Sequence, residues 1–237
     1  GGFGLTGVIL SAKIKLKRIS SSFIDQKIIE FNNYKDLIRS FIKNKTFEYS
    51  VAWVEKFSKE SISGLLYLAN HSKQKNLPKN IIFHDRKMSF LEYLFLRVFS
   101  QNYFLIKILN LSFKKFKFYF YKKCISFNEF FYPQDKYLDF NRIYKKGFFQ
   151  TQFLIEVNQI NSVFNEIQNF FTKKKIFSTF IILKYVNEKG RNLDFAGNGI
   201  SISMDIPIDK DYKNITTFFN NLFIISIISW ICSVALG

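Results

Sequence analysis

The sequence predicts an α+β fold: a large antiparallel sheet with helices on one face, assembled from two strand-helix-strand-strand units. Two observations carry this prediction. The order of elements read over residues 23–70 recurs over residues 148–206, where a further helix follows Asp211. Residues 147–153, GFFQTQF, alternate strictly, so as a strand they put Gln150 and Gln152 on one face and Phe149, Thr151 and Phe153 on the other. Helices on the apolar face leave the second face, with its two amides, for a ligand.

In chain order, residues 1–10, GGFGLTGVIL, place glycines at 1, 2, 4 and 7, which allow a tight turn and close backbone approach to a ligand; Val8, Ile9 and Leu10 are expected to start a strand. Residues 23–31 read as a strand. Asn32 and Asn33 can cap a helix in which Tyr34, Leu37, Ile38, Phe41 and Ile42 recur at helical spacing. Residues 49–57 and 63–70 read as two more strands. In the second unit a strand at 148–157 precedes a helix at 159–172, whose Ile160, Val163, Phe164, Ile167 and Phe171 fall on one stripe, and strands at 176–185 and 200–206 complete it.

An irregular insertion, residues 76–128, separates the units. Its stretch 90–111 is strongly apolar but carries Glu92, Arg97 and Lys107, too many charges for a membrane span. It reads as amphipathic, suited to cover a pocket, to lie on a membrane surface or to pack as a buried helix. Residues 114–123, KKFKFYFYKK, interleave bases and aromatics. They suit a half-buried strand with a basic face, the preferred reading, or a segment that stacks on nucleic-acid bases. Residues 218–237 form an atypical tail almost free of charge. Its continuous apolar run, 222–236, is shorter than the roughly 20 residues of a spanning helix, leaving a core helix, a short anchor, or the product of a truncation or frame change.

Composition narrows the function classes. At 237 residues, 48% hydrophobic and 19% aromatic, the chain can fill a real core, which excludes disorder. The net charge of +17 favours an anionic partner, a phosphate-bearing substrate or an acidic membrane surface. Yet only six of the 35 basic residues are Arg, and Lys lacks the bidentate fork used to read bases and phosphates, which weakens a nucleic-acid reading. Cys124 and Cys232 lie far apart without CxxC spacing, arguing against a disulfide scaffold or a zinc site and fitting a reducing, cytoplasmic compartment. His71 and His84 have neither metal-site spacing nor an evident triad and read as ordinary surface or loop residues. Gly1 falls inside a motif with no initiator Met, so the chain reads as part of a longer protein.

Five stretches, in order, carry a resemblance: GGFGLTGVILSAKIKL, YSVAWVE, FFYPQDKYLDFNRIYKKGFFQTQFLIE, LKYV and LDFAGNGISISMDIPI. Together they resemble the C-terminal half of FAD-linked oxidoreductases of the vanillyl-alcohol-oxidase type, most nearly the decaprenylphosphoryl-ribose oxidase group, the flavin subunit of the ribose 2'-epimerase. The resemblance covers most of residues 1–208. It implies that residues 1–20 end a flavin-binding domain as its last strand, that 21–217 are a substrate-binding domain, and that Gly2, Gly4, Thr6, Gly7 and Ile9 approach FAD. It also implies a polyprenyl-phosphate-linked pentose as substrate, a short-chain reductase as partner, and a place peripheral to the membrane.

Carried over by position, the resemblance implies substrate contacts at Gln150 and Gln152, a pocket aromatic at Phe131 or Tyr132, and pocket positions at Ser201 and Ser203, where the family has Asn and Cys. It implies a catalytic role for Lys184. Period two agrees, setting Ser201 with Ser203 and Lys184 with Ile182 and Phe180 on single strand faces. A lysine in an otherwise apolar run is costly to bury unpaired and should meet solvent, an acid or an anionic ligand. After Ile208 the family continues with a glycine pair and a strand ending in a lysine-aspartate motif; residues 222–237 have nothing like it, so this chain by itself is not expected to catalyse. A soluble sugar or aldonolactone oxidase of the same flavin class, and a basic nucleic-acid-binding module, are the alternative readings.

Overall fold

Asn33 opens the first helix of the fold. Its side chain accepts from the Asp36 amide at 2.8 Å, satisfying a backbone donor that the helix itself cannot. The computed structural model describes residues 7–58, 61–74, 87–133, 140–187, 197–208, 212–226 and 229–235. The first unit comprises β1 (Phe23–Phe31), α1 (Tyr34–Lys43), β2 (Tyr49–Ser58) and β3 (Ser61–His71). The insertion supplies α2 (Phe90–Ser100), α3 (Tyr103–Tyr119), β4 (Cys124–Ser126) and α4 (Phe127–Phe131). After a short 3-10 helix (Phe140–Ile143) come β5 (Phe148–Glu156), α5 (Ile160–Lys174), β6 (Phe180–Asn187) and β7 (Asn198–Pro207), then α6 (Tyr212–Ser226) and β8 (Ser229–Ala235).

The strands form one antiparallel sheet in the order β4-β1-β3-β2-β6-β7-β5-β8. The two units meet at their second strands, β2 against β6, and run outward in mirrored order. That is the arrangement of two like units about an approximate two-fold axis. The sheet's first face carries Leu66 and Leu68, Ala52 and Val54, Leu183, Ile202 and Met204, and Phe149 and Phe153, which pack with Leu37 and Phe41 of α1, Val163 and Ile167 of α5 and Phe219 of α6. Helices on one face of an antiparallel sheet are thus what the periodicity predicts. The expected strands at 23–31, 49–57, 63–70, 148–157 and 200–206 fall on β1, β2, β3, β5 and β7.

The second face differs from expectation in its first half. Trp53 meets Phe113 edge-on at 5.2 Å, and Lys114 reaches Glu30 at 2.5 Å and Glu55 at 3.7 Å, so α3 covers the β1-β3-β2 part. The run 114–123 is therefore not a strand. Ile106, Asn110, Phe113 and Lys117 share one helical stripe with Lys114 beside it, and helix alone turns that set toward one sheet face. Val8, Ile9 and Leu10 do not start a strand either. Residues 7–19 have no regular structure and these three side chains are exposed, and among the described residues no strand pairs with them to take their backbone groups. Residues 176–179 form no strand and lead irregularly into β6, after Lys175 ends α5 at φ 54°. The apolar tail divides between α6, which buries Phe219, and β8, which pairs along β5.

Where β2 shifts register against β3, between Val54 and Lys56, Gly64 lies opposite. A Cβ there would stand 2.0 Å from the Trp53 carbonyl oxygen and 2.9 Å from the Phe31 ring. Gly64→Ala is expected to lower unfolding free energy by about 2 kcal/mol, because a backbone atom cannot yield as a flexible side chain does. A urea midpoint equal to wild type would contradict this.

Candidate functional site

Antiparallel register decides which side chains share a patch of the second face. Gln152 of β5 lies opposite Ser203 of β7, and Ser203 lies opposite Ile182 of β6. One row along, Leu154, Ser201 and Lys184 are aligned; one row the other way, Gln150, Asp205 and Phe180. Five residues, Gln152, Ile182, Lys184, Ser201 and Ser203, line a cleft of about 160 Å³. Four of these are residues to which the resemblance assigns a role, and they come from three strands, β5, β6 and β7, whose order in the sheet, β6-β7-β5, differs from their order in the chain.

The polar groups are ordered. The Gln152 Nε2 donates to Ser201 Oγ at 3.2 Å, and the Gln150 Nε2 donates to Asp205 Oδ1 at 2.8 Å. Lys184 is exposed at the cleft, and among the described residues no carboxylate lies within ion-pair distance of it. Its ammonium is thus presented to whatever enters.

Asp205 was not singled out from the sequence, although Ser201, Ser203 and Asp205 continue the same period of two. It is 4% exposed. Burial pushes its carboxyl up to about 6, while the bond from Gln150 pulls the other way. Its backbone carbonyl accepts from Ser178 Oγ at 2.8 Å, the Thr179 amide at 2.9 Å and Thr179 Oγ1 at 3.2 Å, which fixes the strand here. The Tyr144 hydroxyl meets Thr179 Oγ1 at 2.7 Å, and burial together with the Asp205 charge raises its pKa.

The structure does not bring Phe131 or Tyr132 to this cleft. The α4 turn is closed by a capping box, Ser126 Oγ accepting from the Glu129 amide at 3.2 Å and Glu129 Oε2 accepting from the Ser126 amide at 3.1 Å. This sets Phe131 edge-on to Tyr49, at 4.8 Å, beside the β1-β4 side of the sheet, with Tyr132 next to Phe127. His71 belongs to the same cluster and is not a surface residue. It is buried in β3, its Nδ1 2.7 Å from the Ser21 carbonyl oxygen and its Nε2 3.1 Å from the Tyr49 hydroxyl.

Of the residues expected at FAD, Gly2, Gly4 and Thr6 lie outside the described residues, as does His84. Gly7 has φ 139°, a conformation L side chains rarely adopt, and an added Cβ there meets nothing within 4 Å. Gly7 and Ile9 are both exposed. A broader depression of about 500 Å³ lies along α1, lined by Tyr34, Ile38, Ile42 and Val157 with Lys35, Arg39 and Lys43 at its rim. It lacks the mixed donors and acceptors of the smaller cleft. Among the described residues, no group of three or more His, Cys, Asp or Glu is placed to hold a metal ion, and no helix is long and apolar enough to cross a membrane. Compared with protein-family models and with curated proteins, the chain matches none.

Proposed function

We propose that the chain is the substrate-binding half of an FAD-dependent oxidoreductase that oxidises a sugar hydroxyl, with a polyprenyl-phosphate-linked pentose as substrate. The observation that supports this most is the convergence of one amide, two hydroxyls and one ammonium on adjacent strands at one open cleft, with a second amide, that of Gln150, one row along β5. Amides and hydroxyls match the alternating donors and acceptors of a polyol, and an ammonium with no carboxylate partner among the described residues suits a phosphate or a hydroxyl losing its proton. At about 160 Å³ the cleft is smaller than the roughly 300–1,000 Å³ of a complete small-molecule pocket, as one wall of a site would be.

In this reading flavin, when bound, accepts the hydride. Gly2, Gly4, Thr6, Gly7 and Ile9 would approach it through backbone alone. Gln152 and Ser201, already bonded to one another, hold the sugar ring. Lys184 binds the reacting hydroxyl or a phosphate oxygen. Asp205 is a positioning residue that holds the Gln150 amide. The reaction leaves a keto sugar, which a short-chain reductase partner returns with inverted configuration.

The test is titration calorimetry with a pentose 1-phosphate carrying a short prenyl chain. Lys184→Ala is expected to weaken binding about 10- to 100-fold, because it removes a hydrogen bond to a charged group, and Gln152→Ala about fivefold. Lys184 is exposed, so both proteins should unfold at the same urea concentration. Equal affinity of wild type and Lys184→Ala would sink the proposal. Equal affinity for a free aldonolactone and the prenyl phosphate would replace it with the soluble-substrate oxidase.

A further inference from the structure

The helical hairpin α2-α3 buries one side and leaves the other apolar. Its inward stripe ends at Trp53, Glu30 and Glu55. On the opposite stripe of α3 stand Phe104, Ile108, Leu111 and Phe118, of which Phe104 is 66% and Phe118 59% exposed. On α2 a second stripe, Leu91, Leu94, Phe95 and Val98, is exposed as well, with Leu91 at 75%. Most of the exposed large hydrophobic side chains among the described residues belong to this hairpin and the few residues after it, a concentration far beyond the scattered exposure of an ordinary surface.

The charge around those stripes has one sign. Residues 90–123 hold seven basic side chains and a single acid, Glu92, which is taken up by the α2 capping box with Ser89. Lys114 turns inward, but Lys107 borders the outer stripe of α3, Lys115 stands within it on a stem long enough to carry its ammonium outward, and Lys122 and Lys123 follow the helix, both exposed. Aromatic and aliphatic side chains in a cationic frame, on helices too short and too charged to span, match the interface of an anionic bilayer: apolar groups enter the acyl boundary while lysines meet the head groups.

We propose that the outer face of α2-α3 docks on an anionic lipid bilayer, with Phe104, Ile108, Leu111 and Phe118 inserted and Lys107 and Lys115 at the head groups. The hairpin's surface supports this whether or not the cleft binds a sugar. Should both hold, docking sets the cleft beside the membrane, since α3 lies on Trp53 and Trp53 is paired with Ile182 of the cleft.

Vesicle sedimentation decides it. The full chain is spun with phosphatidylcholine vesicles that contain about 30% phosphatidylglycerol, with pure phosphatidylcholine vesicles as comparison. Expected are binding to the anionic vesicles, weakening as salt rises, and at least about a tenfold loss in Phe104→Glu/Phe118→Glu, whose exposed positions leave the urea midpoint and circular dichroism unchanged. A separate Lys107→Gln/Lys115→Gln variant should lose most of the preference for anionic over neutral vesicles. No wild-type binding, or equal binding by the aromatic variant, overturns the proposal. So does salt-dependent capture of single-stranded RNA without vesicle binding, which assigns the face to nucleic acid. A dimer that the aromatic variant abolishes, again without vesicle binding, assigns the face to a second copy. Sugar-phosphate affinity, read by calorimetry without lipid, should not change in either variant, which separates failure here from failure at the cleft.

Discussion

Asp205→Asn is expected to make the protein more stable at neutral pH, by on the order of 3 kcal/mol, and to flatten its stability between pH 4 and 7. The carboxyl gives up its proton near its ordinary 3.8 in the unfolded chain but at about 6 in the fold. Between those values the folded protein holds more protons, so stability falls as pH rises. The contribution is fully present below 3.8 and lost above about 6. Asparagine stays neutral and its Oδ1 can still accept from the Gln150 Nε2, so the bond is kept while the cost of burying a charge goes. Urea unfolding of both proteins at several pH values checks this, and parallel curves would refute it. Asp205 holds the Gln150 amide, which the proposed function sets at the sugar. Pentose-phosphate affinity should accordingly vary with pH near 6 in wild type and not in the variant.

Phe153→Ala is expected to cost about 4 kcal/mol. The ring is 0% exposed and lies with its centroid 5.9 Å from that of Phe219, between β5 and α6. Truncation removes the burial of a large ring and leaves a void walled by a sheet on one side and a helix on the other, neither free to collapse. Phe153→Leu should cost only about 1 kcal/mol, since most of the volume remains. Because Gln152 is the adjacent residue on β5, the alanine variant should lose ligand affinity together with stability. Lys184→Ala should lose affinity alone. A thermal or urea midpoint for Phe153→Ala within error of wild type would contradict the assignment of this face to the core.

How far the site was legible varies by residue. Gln150 and Gln152 were visible because period two needs no knowledge of neighbours, and Phe149, Thr151 and Phe153 are indeed the buried set. Asp205 was visible by the same rule, two residues beyond Ser203, but its burial was not. Phe131 and Tyr132 were misplaced because position along the chain does not say which strand end a short helix caps. Residues 114–123 were misread because bases and aromatics alternating over a few residues suit a strand, whereas the stripe that makes 114–119 the end of a helix begins upstream at Ile106.

The sequence by itself determined the elements of the two units and the face that each strand residue occupies, since both follow from local sterics and a hydrophobic repeat within a few residues. Only the tertiary structure decided that β6, β7 and β5 lie side by side in that order. It also set Gln152 against Ser203 and Ser201 against Lys184, buried the carboxyl of Asp205, and put α2-α3 over the other half of the second face with an apolar side outward. Those outcomes depend on contacts between residues far apart in the chain, where the side chains that pack best choose among pairings that local pattern leaves equal.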